Sequence, residues 1–388
     1  MSLKDAPNGL QEAAGLAGRS RRDFLRAATG ASVGRTLFPL APGTARGAAR
    51  KTKTVVVTFG GGARDQETFM PEGHANIPHL LHELIPRSTF FTQVVNRGIL
   101  GHYVANASLA TGAYETFNNF ASVPPPTPTV FEYFRKDLNR PAADVWVVAP
   151  SAGFQRIGQS SHRRYGAGWG ANVVLPKRLL AAALPMGSIA EYERLLHDNY
   201  ETPLYAPEDA GGDAEVHRIA EMLNLSVSDF VAHAGTLTSP DELSVYIARR
   251  LMRQYAPSLI WITLHDIDIA HAGAFSLYVE AIRRCDRLCA ELWNTTQTEP
   301  EYAGKTMMLI LPDFGRDSDE DAGGNGFQHH RTGDALSRTT WMAALGAGIR
   351  ENIFVDRPAE TIDLTPTLGA LLGFATPFVR GKPLEELF

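Results

Sequence analysis

Two short segments gather the side chains best suited to holding a cation. One reads His265-Asp266-Ile267-Asp268-Ile269-Ala270-His271, directly after an apolar run at 259–264. The other opens at Asp313, after a second apolar run at 306–311, and passes through Asp317, Asp319, Glu320 and Asp321 to His329-His330. Carboxylate oxygens and imidazole nitrogens form a mixed donor set that suits zinc, manganese or iron. Asp268 and His271 can share one ion if the loop between them turns, and His330 can close the site from the other segment. His265, Asp266 and His329 are candidates to complete that shell or to orient it by hydrogen bonds. A cation held this way polarises an ester and stabilises charge developing on phosphate or sulfate oxygens. The acidic run at 317–321 lacks the spacing of an EF-hand and reads as a solvated loop.

Such segments need strands that end side by side. Residues 54–59 read as a buried strand stopped by Gly60-Gly61-Gly62, a run without the Gly-Lys-Ser/Thr of a P-loop or the spacing of a dinucleotide fingerprint. Further strands are expected at 88–95, 144–149, 259–264 and 306–311. Helices are expected at 77–84, from about 105, and at 130–135, 242–255, 278–293 and 361–372, the last capped by Thr361 or Asp363. This alternation predicts an α/β fold with a largely parallel central sheet flanked by helices, whose sites lie beyond the carboxyl ends of the strands. Residues 151–240 are less regular and read as a loop and helix insertion, or a cap, on a single domain spanning 49–388.

The 388 residues are 44% hydrophobic and 20% charged, enough to bury a core without disulfides and too apolar for a disordered chain. Cys285 and Cys289 stand four apart in a helical pattern, poorly placed to bridge each other, and read as buried free thiols. Residues 1–48 hold seven Lys or Arg against three Asp or Glu, which leaves 30 against 39, or −9, on the remainder. That balance gives no general electrostatic reason to bind nucleic acid. The basic excess surrounds Ser20-Arg21-Arg22-Asp23-Phe24-Leu25 and precedes a mild Gly/Ala-rich stretch, with small residues near Ala45 and Ala48. This leader resembles a twin-arginine export signal, which implies the export machinery as a partner and a periplasmic or secreted destination. No uninterrupted apolar run is long enough for a stable membrane span.

The segment His102-Tyr-Val-Ala-Asn106-Ala-Ser108-Leu-Ala-Thr111-Gly112, together with the glycine-ended first strand, Asp268-Ile-Ala-His271, Asp313, His330 and Ile362-Asp363-Leu364-Thr365-Pro366-Thr367-Leu368, resembles the alkaline phosphatase and sulfatase superfamily. The likeness runs discontinuously from about residue 54 to 388 and is nearest to exported sulfatase-like proteins. It implies one or two divalent ions, zinc, manganese or calcium, beside a Ser, Thr or modified Cys nucleophile. On that pattern Asp268, His271 and His330 match the ligands of one ion, and Asp313 matches a ligand of the other. The expected substrate is a phosphate or sulfate ester, on a small molecule or a glycan.

Three positions depart from that pattern. Glycines stand where the first strand should deliver a carboxylate, with Asp65 slightly displaced. Phe314 follows Asp313 where the pattern has histidine. His102 stands where the nucleophile is expected; histidine can attack phosphorus, ligate a metal or move a proton, so it is the candidate catalytic residue. Ser108 and Thr111 are the alternative hydroxyls. Arg64, Asn106 and Arg316 are candidates for binding the substrate oxyanion. The departures also leave open a second reading, a catalytically degenerate metal- or glycan-binding protein of the same fold.

Overall fold

The computed structural model describes residue 21 and residues 52–121, 123–150, 152–185, 187–197, 214–224 and 226–388. A nine-stranded sheet runs through the molecule in the order β4-β3-β5-β1-β6-β7-β2-β8, with β9 paired to β2 beside β8. The strands are β1 (Lys53–Thr58), β2 (Ser88–Val95), β3 (Val145–Val148), β4 (Asn172–Val174), β5 (Leu259–Thr263), β6 (Thr306–Leu311), β7 (Thr339–Gly346), β8 (Ile353–Val355) and β9 (Ala359–Glu360). The pairings of β4, β3, β5, β1 and β6 are all parallel. Only β7 is reversed, antiparallel to both β6 and β2.

The central strands are continuous apolar runs because both faces are covered. In β5 and β6 every residue is buried, as expected when helices pack on each side of a parallel sheet. One face meets α6 (Pro240–Tyr255) and the long α7 (Phe275–Thr298), through Ile260, Ile262, Leu251, Ile282 and Leu288. The other meets α1 (His102–Thr111), α2 (Val130–Asp137) and α8 (Leu364–Leu372), through Trp261, Leu309, Phe131 and Leu368. Cys285 and Cys289 lie buried and unpaired on α7, and burial holds both thiols far above their ordinary range.

Several expected elements change form. The 77–84 segment is not a regular α-helix: a π-helical turn at Leu80–Leu84 lies between 3-10 turns at Pro71–Asn76 and Ile85–Arg87, and Pro86 lacks the N–H that a continuing helix requires. Of residues 151–240, expected as an insertion or cap, the described part contributes to both sheet and core. Residues 172–174 extend the sheet as β4, while Leu179, Leu180, Ile219 and Phe230, on helices α3 (Pro176–Ala183), α4 (Ala214–Met222) and α5 (Val227–Ala234), join the same core as β1 and β5. Asp363 does sit at the start of α8. Its carboxylate, however, accepts from the backbone N–H of Glu360 and Lys382 and so fastens two loops.

The three glycines after β1 have steric causes. A Cβ on Gly60 would stand 1.7 Å from the Leu264 carbonyl oxygen, and one on Gly61 would stand 2.5 Å from the Asp268 nitrogen. Gly61 and Gly62 also have φ of +95° and +67°, the left-handed region that glycine enters at little cost. The close approach these residues permit is therefore to the loops after β5 and β6.

Candidate metal centre

Three neighbouring strand ends and the start of one buried helix supply the site. His102 is the first residue of α1, a helix buried along its whole length, preceded by Gly101 and closed by Gly112 at φ +69°. Asp268 and His271 lie in a 3-10 turn after β5, which packs against Gly61. Asp313 and Arg316 follow β6, and His330 arrives from the long loop before β7.

His102, Asp268, His271 and His330 each offer one ligand atom, and these atoms all lie within 4.8 Å of one another. His271 Nε2 is 3.1 Å from Asp268 Oδ1 and 2.8 Å from His330 Nε2. Two imidazole nitrogens that face each other so closely share at most one proton between them. Asp268 Oδ2 is moreover buried without a hydrogen-bond partner, and His265 Nε2, at 3.8 Å, is too far to donate well. Three lone-pair donors converging on one small space, with an uncompensated carboxylate oxygen, fit a divalent cation chemically.

His102 bridges two carboxylates. Its Nδ1 lies 2.8 Å from Asp313 Oδ2 and its Nε2 lies 3.0 Å from Asp268 Oδ1. Asn106, one turn on, donates to Asp313 Oδ2 and to the His102 carbonyl, and its own oxygen accepts from Thr58. Phe314 stacks on the His102 ring with centroids 4.5 Å apart. The residue that replaces an expected histidine thus forms an apolar wall behind the imidazole.

The charges follow from this geometry. Burial works against a charged His102, but the facing Asp268 and Asp313 carboxylates outweigh it and lift the imidazole to about 10. Burial also pushes Asp268 upward, yet His102 and its neighbours hold that carboxyl well below the ordinary value. Burial, followed by the charges of His102 and Arg316, drives His330 down to about 2. The metal-free protein therefore has a stability maximum. Because the folded His102 value is raised, its contribution is complete below about pH 6.5 and is lost as pH climbs toward 10. His330 is depressed and must stay neutral, so stability also falls as pH drops below about 6.5. Denaturant midpoints of chelator-treated protein from about pH 5 to 9 should decline on both sides of near-neutral pH; a flat profile would contradict this electrostatic arrangement.

The other candidates lie around this cluster in distinct roles. His265 packs edge-on to the His102 ring at 4.8 Å. Asp266 turns away from the cluster toward Arg284 and the Asp241 N–H. His329 is exposed and outside the four. Arg316 is buried, donating to Asp268, the Gly62 carbonyl and the Phe327 carbonyl. It is a fixed cation behind Asp268. Arg64 is committed to Glu67 and Asp319, and Asp65 pairs with Arg21, away from the cluster. The hydroxyl of Ser108 donates to the Val104 carbonyl and that of Thr111 to the Ala113 carbonyl. Both serve the backbone of α1 and its exit.

Two buried carboxylates that hold the loops of this cluster gave no usable signal in the sequence. Asp241, in the first turn of α6, accepts from the backbone N–H of His265 at 2.7 Å and of Asp266 at 2.9 Å. An acidic residue at a helix start is ordinary, and nothing local marks its distant partner. Asp317 belongs to the acidic run expected to be solvated, but it is fully buried. It accepts from the Arg331 N–H at 2.6 Å, beside His330, and from the Ser337 hydroxyl. Asp319 and Glu320 of that run are exposed.

No protein-family model matches the sequence, and no curated protein matches it. Solved structures do. The chain is similar to the lipoteichoic acid synthase LtaP from Listeria monocytogenes, at 11% identity and a TM-score of 0.54, covering 92% of this chain and 79% of that one. It is similar to the alkaline phosphatase PafA, at 11% identity and 0.53, covering 87% and 99%. A phosphonate monoester hydrolase from Silicibacter pomeroyi matches at 14% identity and 0.51, covering 86% and 76%. The architecture is that of the alkaline phosphatase and sulfatase folds, and the His/Asp cluster in it is a candidate metal centre.

Proposed function

We propose that the chain is an exported, metal-dependent hydrolase of a phosphate or sulfate ester, on a small molecule or a glycan. The convergence of Asp268, His271 and His330 on one small space, with His102 beside them, carries this reading. Those three residues would hold one divalent ion, of which zinc is best matched by the two imidazoles. When bound, such an ion polarises the ester oxygen and makes water a better nucleophile. The fold relatives named for chemistry on phosphate and phosphonate groups support the substrate class.

His102 acts as a general acid in this scheme, not as the nucleophile. Asp313 fixes its Nδ1 and leaves Nε2, with its proton, facing the cluster. Water adds at phosphorus or sulfur, the bond to the ester oxygen breaks, and that oxygen takes the His102 proton. The proton released by the attacking water restores the imidazolium. The hydroxyls of Tyr103, Ser108 and Thr111 on α1 all donate to backbone carbonyls, so this scheme uses none of them as a nucleophile. Arg316 and Asn106 hold Asp268 and Asp313 in position.

A second reading has one observation in its favour: His102 Nε2 also lies within ligand range, so four protein donors can close the coordination shell as in a non-catalytic site. Elemental analysis separates the two, combined with phosphatase, phosphodiesterase and sulfatase assays of protein purified without chelator. A His102→Ala chain that keeps its ion but loses ester hydrolysis supports the enzyme. If the parent holds an ion and turns over none of these ester classes, the binding protein is the correct reading.

Export through the twin-arginine route to the periplasm or beyond rests on the Arg21-Arg22 leader. Apart from Arg21, the leader lies outside the described residues. Among those residues, no helix is long and apolar enough to cross a membrane.

A further inference from the structure

Arg21, the first arginine of the leader pair, is only 3% exposed. Its Nε donates to Asp65 Oδ1 at 2.8 Å, and its Nη1 donates to the backbone carbonyls of Thr92 at 2.6 Å and Thr340 at 2.8 Å. Its guanidinium carbon stands 5.7 Å from the centre of the Phe69 ring.

All four partners belong to the folded domain and come from three separate segments. Asp65 and Phe69 follow the glycine run. Thr92 lies where the pairing of β2 with β7 shifts register between Phe91 and Val94, and Thr340, on β7, is the register partner of Val94. Asp65 is itself 8% exposed, and its Oδ2 has no hydrogen-bond partner. Burial pushes its carboxyl up, and Arg21 is the cation that pulls it back. A carboxylate, two carbonyls and an aromatic face match the planar fork of a guanidinium better than a point-charge ammonium.

We propose that Asp65, Phe69 and the Thr92 and Thr340 carbonyls form a guanidinium pocket by which the folded domain holds the first arginine of its own leader. The docking is independent of the hydrolase reading. Only its consequence rests on the export reading: an arginine pair with one member inside the domain is offered to the export machinery when the pocket releases it. Removal of the leader would leave Asp65 buried without its cation, so the pocket would then be open to another guanidinium.

The test is arginine-specific dicarbonyl labelling of the full-length chain, followed by peptide mapping. Arg97, whose side chain is 61% exposed, serves as the internal reference. Arg21 should react at least about tenfold more slowly than Arg97, and Asp65→Asn should bring the two rates together. In denaturant titrations, Arg21→Gln should cost little in the Asp65→Asn background and more in the parent. Labelling of Arg21 as fast as Arg97 in the parent overturns the proposal, whether or not Asp65→Asn folds. An unchanged Arg21 rate in a folded Asp65→Asn chain also overturns it. Failure of the export reading would show separately: paired Arg21→Lys and Arg22→Lys substitutions would leave delivery across the membrane intact, a result that does not touch the labelling rates.

Discussion

If the proposed function holds, replacing Asp268 and His330 together with alanine is expected to prevent metal binding and abolish ester hydrolysis while leaving the sheet folded. The two residues approach the site from different loops, so their loss cannot be repaired by moving one segment. Asp268 Oδ1 is the hub of the cluster, lying 3.0 Å from His102, 3.1 Å from His271 and 2.8 Å from Arg316. His330 is the donor held neutral by its surroundings, which leaves its lone pair available. Each single substitution should weaken metal affinity by roughly 100-fold or more, and the pair should leave no stoichiometric ion. Elemental analysis after gel filtration reads the first effect and circular dichroism checks the fold. An undiminished metal content in the folded double variant would refute the ligand assignment.

The second large effect concerns His102. In the metal-free chain its imidazolium lies between two carboxylates that are both fully buried. His102→Ala leaves Asp268 and Asp313 without that cation, and removing one partner of a buried ion pair costs about 3–5 kcal/mol. The denaturant midpoint of the metal-free variant should fall accordingly. With saturating metal the penalty should shrink, because the ion supplies positive charge to Asp268. On the hydrolytic side, loss of a general acid should cost about 10²–10⁴-fold in kcat, with the ion retained. Equal stability of the metal-free variant and parent would mean that the three-residue charge relay is not formed in solution.

The sheet was legible in the sequence because its central strands are long apolar runs with abrupt ends, as at 54–59 and 306–311. The short outer strands were not. β4 has three residues and β8 three, too few to show a period, and their pairing is decided by neighbours distant in the chain. The eight-residue β7 was not anticipated as a strand at all, and with it the reversal of direction beside β6. At the candidate centre, residue type and position after a strand pointed to Asp268, His271 and His330. Those cues could not show that Asp313 would be occupied by His102, because that depends on where α1 starts. They misplaced Asp317, whose acidic neighbours suggested solvent although its carboxylate is held by the backbone N–H and guanidinium of Arg331 and the hydroxyl of Ser337. Arg21 read only as part of a leader, because nothing near it in the chain foreshadows Asp65.

The glycine run after β1 also limits how this centre can evolve. A substitution of Gly60 or Gly61 by aspartate would place a carboxylate at that strand end. Its first side-chain carbon would collide with the main chain of the loop that carries Asp268, and at Gly61 the φ of +95° would add strain. A carboxylate can therefore reach the cluster from this strand end only with a coordinated retreat of that loop, not by one substitution. Directed evolution toward a second ion should accept loop insertions between β5 and α7 before it accepts any side chain at those glycines.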